Sequence, residues 1–465
     1  MAWIDERAAL TRERRSGALS AFHGTLGGLK TLMSGETRQT LRTMTQCAPD
    51  DIVYAIRVLA GIEGAAVIIH GSAGCAASAL FAPDASNLLY STNLDEKDSI
   101  LGGDEKLREA ISRAASRGAS AVFVLGTPVT AINNDDVNSV ISEFEDRTGV
   151  KVTYANTDGF KSKTPVTGYD IASHCLLRGL VEHSRSEGSQ SGCGCFINLI
   201  TMSESPSDVL SVLGMFEDLG ISVNVLPRYS SADSVKRASR AAASVALNGG
   251  ECEYLVDGLE ESFGVRAIRT DSPIGIEAAE RFIRAAAGAL GVEQEAERYI
   301  AERRGEADEA ASKTPLSGYG VFLNMDLEPA ASFAALVSEL GGKVTGVAVP
   351  YVDEFNKRLL DKFHDNATPF IVANGQPFEI ANALSKTKSD FCVVPRGIAA
   401  SVLPFGIVPI EWGHESFFGW DGILAFSSLI SRLKNSRGIK PFRGEIYKKT
   451  WLSKSGNWHV KTEVR

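Results

Sequence analysis

Short apolar runs that alternate with amphipathic segments constrain this chain most, because a strand that is apolar along its whole length must be buried on both faces. Ala65–His70, Ala119–Leu125 and Val150–Ala155 are such runs, and helical patterns over Asp104–Arg117 and Asp135–Asp146 separate them. That order predicts a parallel, doubly wound α/β sheet. The pattern then returns twice. After the polar stretch 184–194 come a strand at Cys195–Ile200, a helix at Ser207–Leu219 and a strand at Ile221–Leu226. After a charged helix near Glu293–Glu309 and the linker Ser312–Pro315 come Gly318–Leu323, Pro329–Leu340 and Lys343–Val349 as strand, helix and strand. At roughly 150 residues per domain, 465 residues hold about three. The expected division is an N-terminal arm over 1–45, domains over 46–187, 195–311 and 316–434, and a C-terminal tail over 435–465. Arms of this kind often wrap a neighbouring subunit.

Composition excludes several classes of function. The net charge is −9 and no basic stripe with interleaved aromatics occurs, so nucleic acid is not an expected partner. The first residues lack an apolar core of the secretory kind, and nowhere do about 18 apolar residues run together to span a membrane. Seven scattered cysteines do not make a disulfide framework, which fits a reducing cytoplasm.

Two of those cysteines bracket one stretch. Cys47 precedes a helix in which Ile52, Ala55, Ile56 and Leu59 recur at helical spacing. Cys75 follows the strand Ala65–His70 through Gly71-Ser-Ala-Gly74, read as a tight turn. In an open α/β sheet the carboxyl edge of the strands is where ligands bind. Both thiols are expected at that edge, with Gly71 and Gly74 letting backbone N–H groups approach what the sulfurs hold. A soft metal centre suits such donors. Buried free cysteine is the common alternative, but a core thiol needs no turn with two glycines beside it.

The run Cys-Ala-Pro, helix, apolar strand, His-Gly-Ser-Ala-Gly-Cys resembles the cluster-binding segment of the nitrogenase component 1 family. The following stretch, from Ser91 through Gly102-Gly103 to Leu107, is similar to the acidic-polar run, glycine pair and helix that come next in that family. The resemblance implies three Rossmann-like doubly wound domains and an iron–sulfur cluster ligated by Cys47 and Cys75. His70, Gly71, Gly74 and Thr127 would lie around it. The family pattern has a third cysteine seven residues before an acidic pair, where this chain has Pro128. Thr127 is the neighbouring candidate for an oxygen ligand or a hydrogen bond to a sulfide, against the plainer reading of a turn residue. The remaining ligands would come from a second subunit. The implied cluster is of the 8Fe–7S P-cluster type or a 4Fe–4S cluster, shared in an α2β2 heterotetramer with a homologous catalytic subunit that holds any large nitrogenase-type cofactor.

The other cysteines read differently. Cys193 and Cys195 form a C-x-C pair in a linker, while Cys175 and Cys392 read as core. Cys252, read as preceding a helix that leads to Phe263-Gly-Val265, and His414 occupy positions similar to the two residues that anchor the large cofactor in catalytic subunits, yet both spacings are short. No P-loop occurs, since Gly341-Gly-Lys343 is followed by valine. The resemblance therefore implies a separate ATP-dependent iron–sulfur reductase docking near Cys47 and Cys75. Among the family's branches, elimination favours a methylthio-alkane reductase companion subunit, with a cofactor-assembly scaffold or another catalytic subunit as alternatives. A solute-binding protein is the alternative of another class. The residues Asp95–Asp98 read as a partner-docking or solvated face, and Asp421 as a helix cap before Ile423–Ile430.

Overall fold

The computed structural model describes residues 15, 17–19, 21–35, 50–77, 79, 88–148, 150–160, 162–182, 196–363, 369–413 and 415–435. Their fold is α/β with parallel sheets. They group into two compact units, one drawn from 1–16, 49–202 and 221–269, the other from 17–48, 203–220 and 270–465.

The first unit holds two four-stranded sheets. One has the order Leu88–Ser91, Ala65–His70, Ala121–Gly126, Lys151–Asn156, every pair parallel, with Ala65 opposite Ala121 and His70 opposite Gly126. Ala66, Ile68, Val122 and Val124 pack beneath Leu107, Ala110, Ile111 and Ala114 of the helix Asp104–Ser116 and Val137, Val140 and Ile141 of the helix Val137–Thr148. The helices Asp51–Leu59 and Thr167–Gly179 pack together and against strands of the same sheet. With cover on both faces, all six residues of Ala65–His70 are buried. The other sheet runs Arg266–Ile268, Ala243–Ala246, Phe196–Thr201, Ser222–Pro227, again parallel.

The second unit is built on a six-stranded sheet, Phe22–Thr25, Phe370–Ala373, Lys343–Val349, Gly320–Asn324, Phe391–Pro395, Val408–Trp412. Five strands are parallel and Phe22–Thr25 is antiparallel. Residues 22–25 of the N-terminal arm thus pair with a strand of their own chain. The edge strand Phe370–Ala373 offers a row of unpaired backbone groups that residues 22–25 satisfy, and Leu26 and Leu29 of the helix Leu26–Met33 are buried. Among the described residues no helix is long and apolar enough to cross a membrane. The tail from 436 lies outside the described residues.

Candidate functional site at a sheet's carboxyl edge

The strand Ala65–His70 delivers its end to the carboxyl edge of the first sheet. There the chain enters a single helical turn, Ala73–Ala76, with Cys75 inside it, where the glycine spacing had suggested a plain turn. Gly71 and Gly74 both lack the positive φ that a glycine turn would use. Cys75 is half-buried, and the Ser72 hydroxyl donates to its Sγ at 3.6 Å.

The other described thiols are buried. Cys175 donates to the Tyr154 carbonyl at 3.6 Å, and burial pushes its thiol up to about 12. Cys392 donates to the Val393 carbonyl at 3.8 Å and is likewise pushed up by burial. Both are the core residues expected from sequence. Cys252 lies in the first turn of the helix Gly249–Phe263 rather than ahead of it, fully buried, with its Sγ 3.5 Å from the Ile200 carbonyl. Cys47, His414, Cys193 and Cys195 lie outside the described residues.

A polar cradle backs the strand end. Thr127, fully buried, donates its hydroxyl proton to the His70 carbonyl at 2.8 Å. A Cβ on Gly71 would sit 2.3 Å from that same Thr127 Oγ1, so packing inside the chain already demands the glycine. Nor does the Gly71 N–H face a ligand, because it donates to Thr92 Oγ1 at 3.0 Å. At Gly74, by contrast, the nearest atom a Cβ would meet is Ser72 Oγ at 3.7 Å, ordinary contact distance.

His70 is buried between Thr92, whose Oγ1 is 3.2 Å from Nδ1, and Asp135, whose Oδ2 is 3.4 Å from Nε2. The second approach lacks hydrogen-bond geometry. Burial pulls His70 down to about 4, against the opposing charge of Asp104, so near pH 7 the ring is neutral and the pair is no salt bridge despite its distance. Burial and the neighbouring Asp104 raise Asp135. Gly103 completes the packing, since a Cβ there would meet His70 Cε1 at 2.9 Å. Asp95 caps the helix Glu96–Leu101 in a reciprocal box with Asp98, and Lys106 pairs with both.

Sequence reading passed over two residues. Thr92 sits just beyond the strand Leu88–Ser91, and only its position at a strand end hinted at a role. In the second unit, Asp208 is buried in the first turn of the helix Pro206–Asp218, with the Ser203 hydroxyl at 3.5 Å. Burial raises its carboxyl to about 7, against hydrogen bonds from Ser205, Ser416, Trp412 and Ser203. Trp412 and Ser416 flank position 414.

Fold and edge together describe an α/β protein with parallel sheets in which, among the described cysteines, Cys75 alone is not buried and stands at a sheet's carboxyl edge. The model of the nitrogenase component 1 type oxidoreductases matches residues 51–433, and the chain belongs to that family. It is 25% identical over 394 residues to the nitrogenase iron-molybdenum cofactor biosynthesis protein NifE of Methanococcus maripaludis, covering 80% of each chain. It is 27% identical over 269 residues to the nitrogenase molybdenum-iron protein alpha chain of Methanothermobacter marburgensis, covering 53% of this chain and 56% of that one. The solved structure of nitrogenase Cp1 at pH 6.5 superposes with a TM-score of 0.72 at 18% identity, over 87% of this chain and 98% of that chain, which shows the fold.

Proteins of this family hold iron–sulfur clusters. Cys75 suits one iron ligand, being a soft donor at the edge whose thiol is neither enclosed nor given to a backbone carbonyl. Among the described residues no group of three histidine, cysteine or acidic side chains stands ready to hold a metal. The fit is therefore to a single ligand, not to a complete set.

Proposed function

We propose that this chain is a cytoplasmic subunit of a nitrogenase-like reductase complex, holding through Cys75 and Cys47 part of an iron–sulfur cluster shared with a homologous partner in an α2β2 assembly. One observation carries this reading: Cys75 is half-buried at the carboxyl edge while the other described cysteines are enclosed. When bound, the cluster stores and passes single electrons at low potential. The chain's own residues fix the strand end from which the turn with Cys75 departs, and His70 there carries no charge near pH 7.

An ATP-dependent iron–sulfur reductase is the proposed electron donor. Its docking face is the pair of packed helices Glu96–Leu101 and Pro128–Asn133 at the same edge, where Ile100, Leu101 and Ile132 are 82%, 73% and 73% exposed. Exposure of that order on three neighbouring large apolar side chains favours a partner surface over a solvated one. The proposed reaction is reductive carbon–sulfur cleavage of methylthio-alkanes by the partner's cofactor, an assignment by elimination on the missing third cysteine.

A second reading, a cofactor-assembly scaffold, is favoured by the 80% mutual coverage with the cofactor biosynthesis protein. Anaerobic purification with co-purifying partners, followed by iron analysis of wild type and Cys75→Ala, tests the cluster. Equal iron in both sinks the shared-cluster reading. Addition of reductase, ATP and a methyl thioether then separates the two: hydrocarbon and thiol release supports the reductase, whereas transfer of a metallocluster to an acceptor without turnover supports the scaffold.

A further inference from the structure

We infer that Thr92 is a positioning residue that sets the placement of Cys75, an inference resting on the cluster reading for its consequence but not for its geometry. Thr92 is buried just past the strand Leu88–Ser91, and its N–H donates to the Ile69 carbonyl at 3.0 Å, so its own backbone is fixed by the strand it serves. Its hydroxyl then makes three contacts. It accepts from the Gly71 N–H at 3.0 Å, donates to the Gly71 carbonyl at 3.3 Å, and lies 3.2 Å from His70 Nδ1. The imidazole tautomer decides which of Thr92 Oγ1 and His70 Nδ1 donates in the last of these contacts.

One oxygen thus orients both residues at the strand end from which the turn with Cys75 departs. The Leu94 N–H adds a 2.9 Å bond to the Gly71 carbonyl, and Ser72 pairs with Leu94 as an isolated bridge. From Ser72 the chain passes into the helical turn, where the Ala76 N–H donates to the Ser72 carbonyl at 3.1 Å and the Ser72 hydroxyl donates to Cys75 Sγ at 3.6 Å. Without the hydroxyl, a buried Gly71 N–H loses its acceptor and His70 loses the partner that fixes its ring.

The test uses the full chain, purified anaerobically with its partners, as wild type, Thr92→Val, Thr92→Ser and Cys75→Ala. Three quantities are read: iron per chain, the alkylation rate of Cys75 in iron-stripped protein by peptide mass spectrometry, and the melting temperature. Thr92→Val is expected to retain iron roughly tenfold more weakly under chelator challenge, the size expected when one buried donor loses its acceptor. Its Cys75 alkylation rate is expected to change severalfold with a melting temperature near wild type, and Thr92→Ser to restore both. Wild-type alkylation in Thr92→Val, or equal impairment in Thr92→Ser, overturns the inference. Should Thr92→Val not fold, Thr92→Ala removes the same hydroxyl without the added methyl. If Cys75→Ala keeps its iron, the cluster reading fails, and the alkylation rate in Thr92→Val still decides the role of Thr92.

Discussion

Between Gly71 and Thr127 there is no space for a methyl group, and the Thr127 side chain cannot turn away without giving up its bond to the His70 carbonyl. Gly71→Ala is therefore expected to cost about 1–3 kcal/mol, the usual penalty of overpacking. Thr127→Ala removes the obstructing Oγ1 and Cγ2, so the double variant should lose less than the sum of the singles in urea unfolding. Strict additivity would show that the contact does not limit the site. Asp208 gives a second prediction with a definite sign. Its carboxyl is raised from 3.8 to about 7 in the fold. The unfolded chain releases that proton near pH 4 while the folded chain keeps it to about pH 7, so stability falls as pH rises through this window. At about 1.4 kcal/mol per unit the whole effect is roughly 4 kcal/mol. Asp208→Asn should match wild type near pH 4 and melt higher at pH 8; parallel melting curves at both pH values would refute the assignment. Neither Thr92 nor Asp208 was legible in the sequence, because their roles depend on partners brought near by folding: Gly71, 21 residues before Thr92, and the loop around Trp412.

At the scale of elements, legibility followed the sharpness of the hydrophobic pattern. Ala65–His70 and Lys343–Val349 have the ends that the sequence suggests, since Gly64 and Gly342 precede them and Gly71 and Pro350 follow them. Patterns fail where a polar residue is used inside an element. Asp421 reads as a cap, but the helix begins at Gly419 and Asp421 binds Arg303 with both oxygens at 2.8 Å. Cys252 reads as preceding a helix whose first turn contains it, because Gly249-Gly250 looks like a break. One fully buried polar contact between segments far apart in sequence was also silent. Arg15 donates to Asp170 at 2.7 and 3.0 Å and to the Gly250 carbonyl at 2.8 Å, tying its segment to the helices Thr167–Gly179 and Gly249–Phe263. Both side chains are fully buried. Arg15→Ala strands a buried carboxylate and is expected to cost about 3–5 kcal/mol, whereas Arg15→Met with Asp170→Leu should be far milder. Denaturant midpoints of the three proteins decide this, and an equal loss in both variants would show that shape rather than charge holds the segment.

At the scale of the whole molecule, the proposed electron path needs two separable surfaces at one sheet edge, a thiol that holds iron and an apolar face that receives the donor. The sequence raises the first as an expectation from the cysteine that follows one strand end, while Gly71 beside it answers to the packing of Thr127 rather than to a ligand. The second depended on which apolar residues folding leaves uncovered, and Ile100 and Leu101 look in sequence like any core pair before a glycine turn. Their exposure, and that of Ile132 on the packed neighbouring helix, allows the surfaces to be tested apart. Burial of one leucine contributes about 1.5–3 kcal/mol, so Leu101→Asp should weaken docking of the nucleotide-bound reductase by roughly 10- to 100-fold. Iron content should remain at the wild-type level. Cys75→Ala should do the opposite, binding the reductase normally while showing no cluster bleaching after rapid mixing with reductase and ATP. Binding measured by interferometry and cluster absorbance measured by stopped flow give independent readouts of the two variants. If Leu101→Asp bound the reductase as tightly as wild type, the donor would have to approach through a different face, and the proposed path along this edge to Cys75 would lose its physical basis.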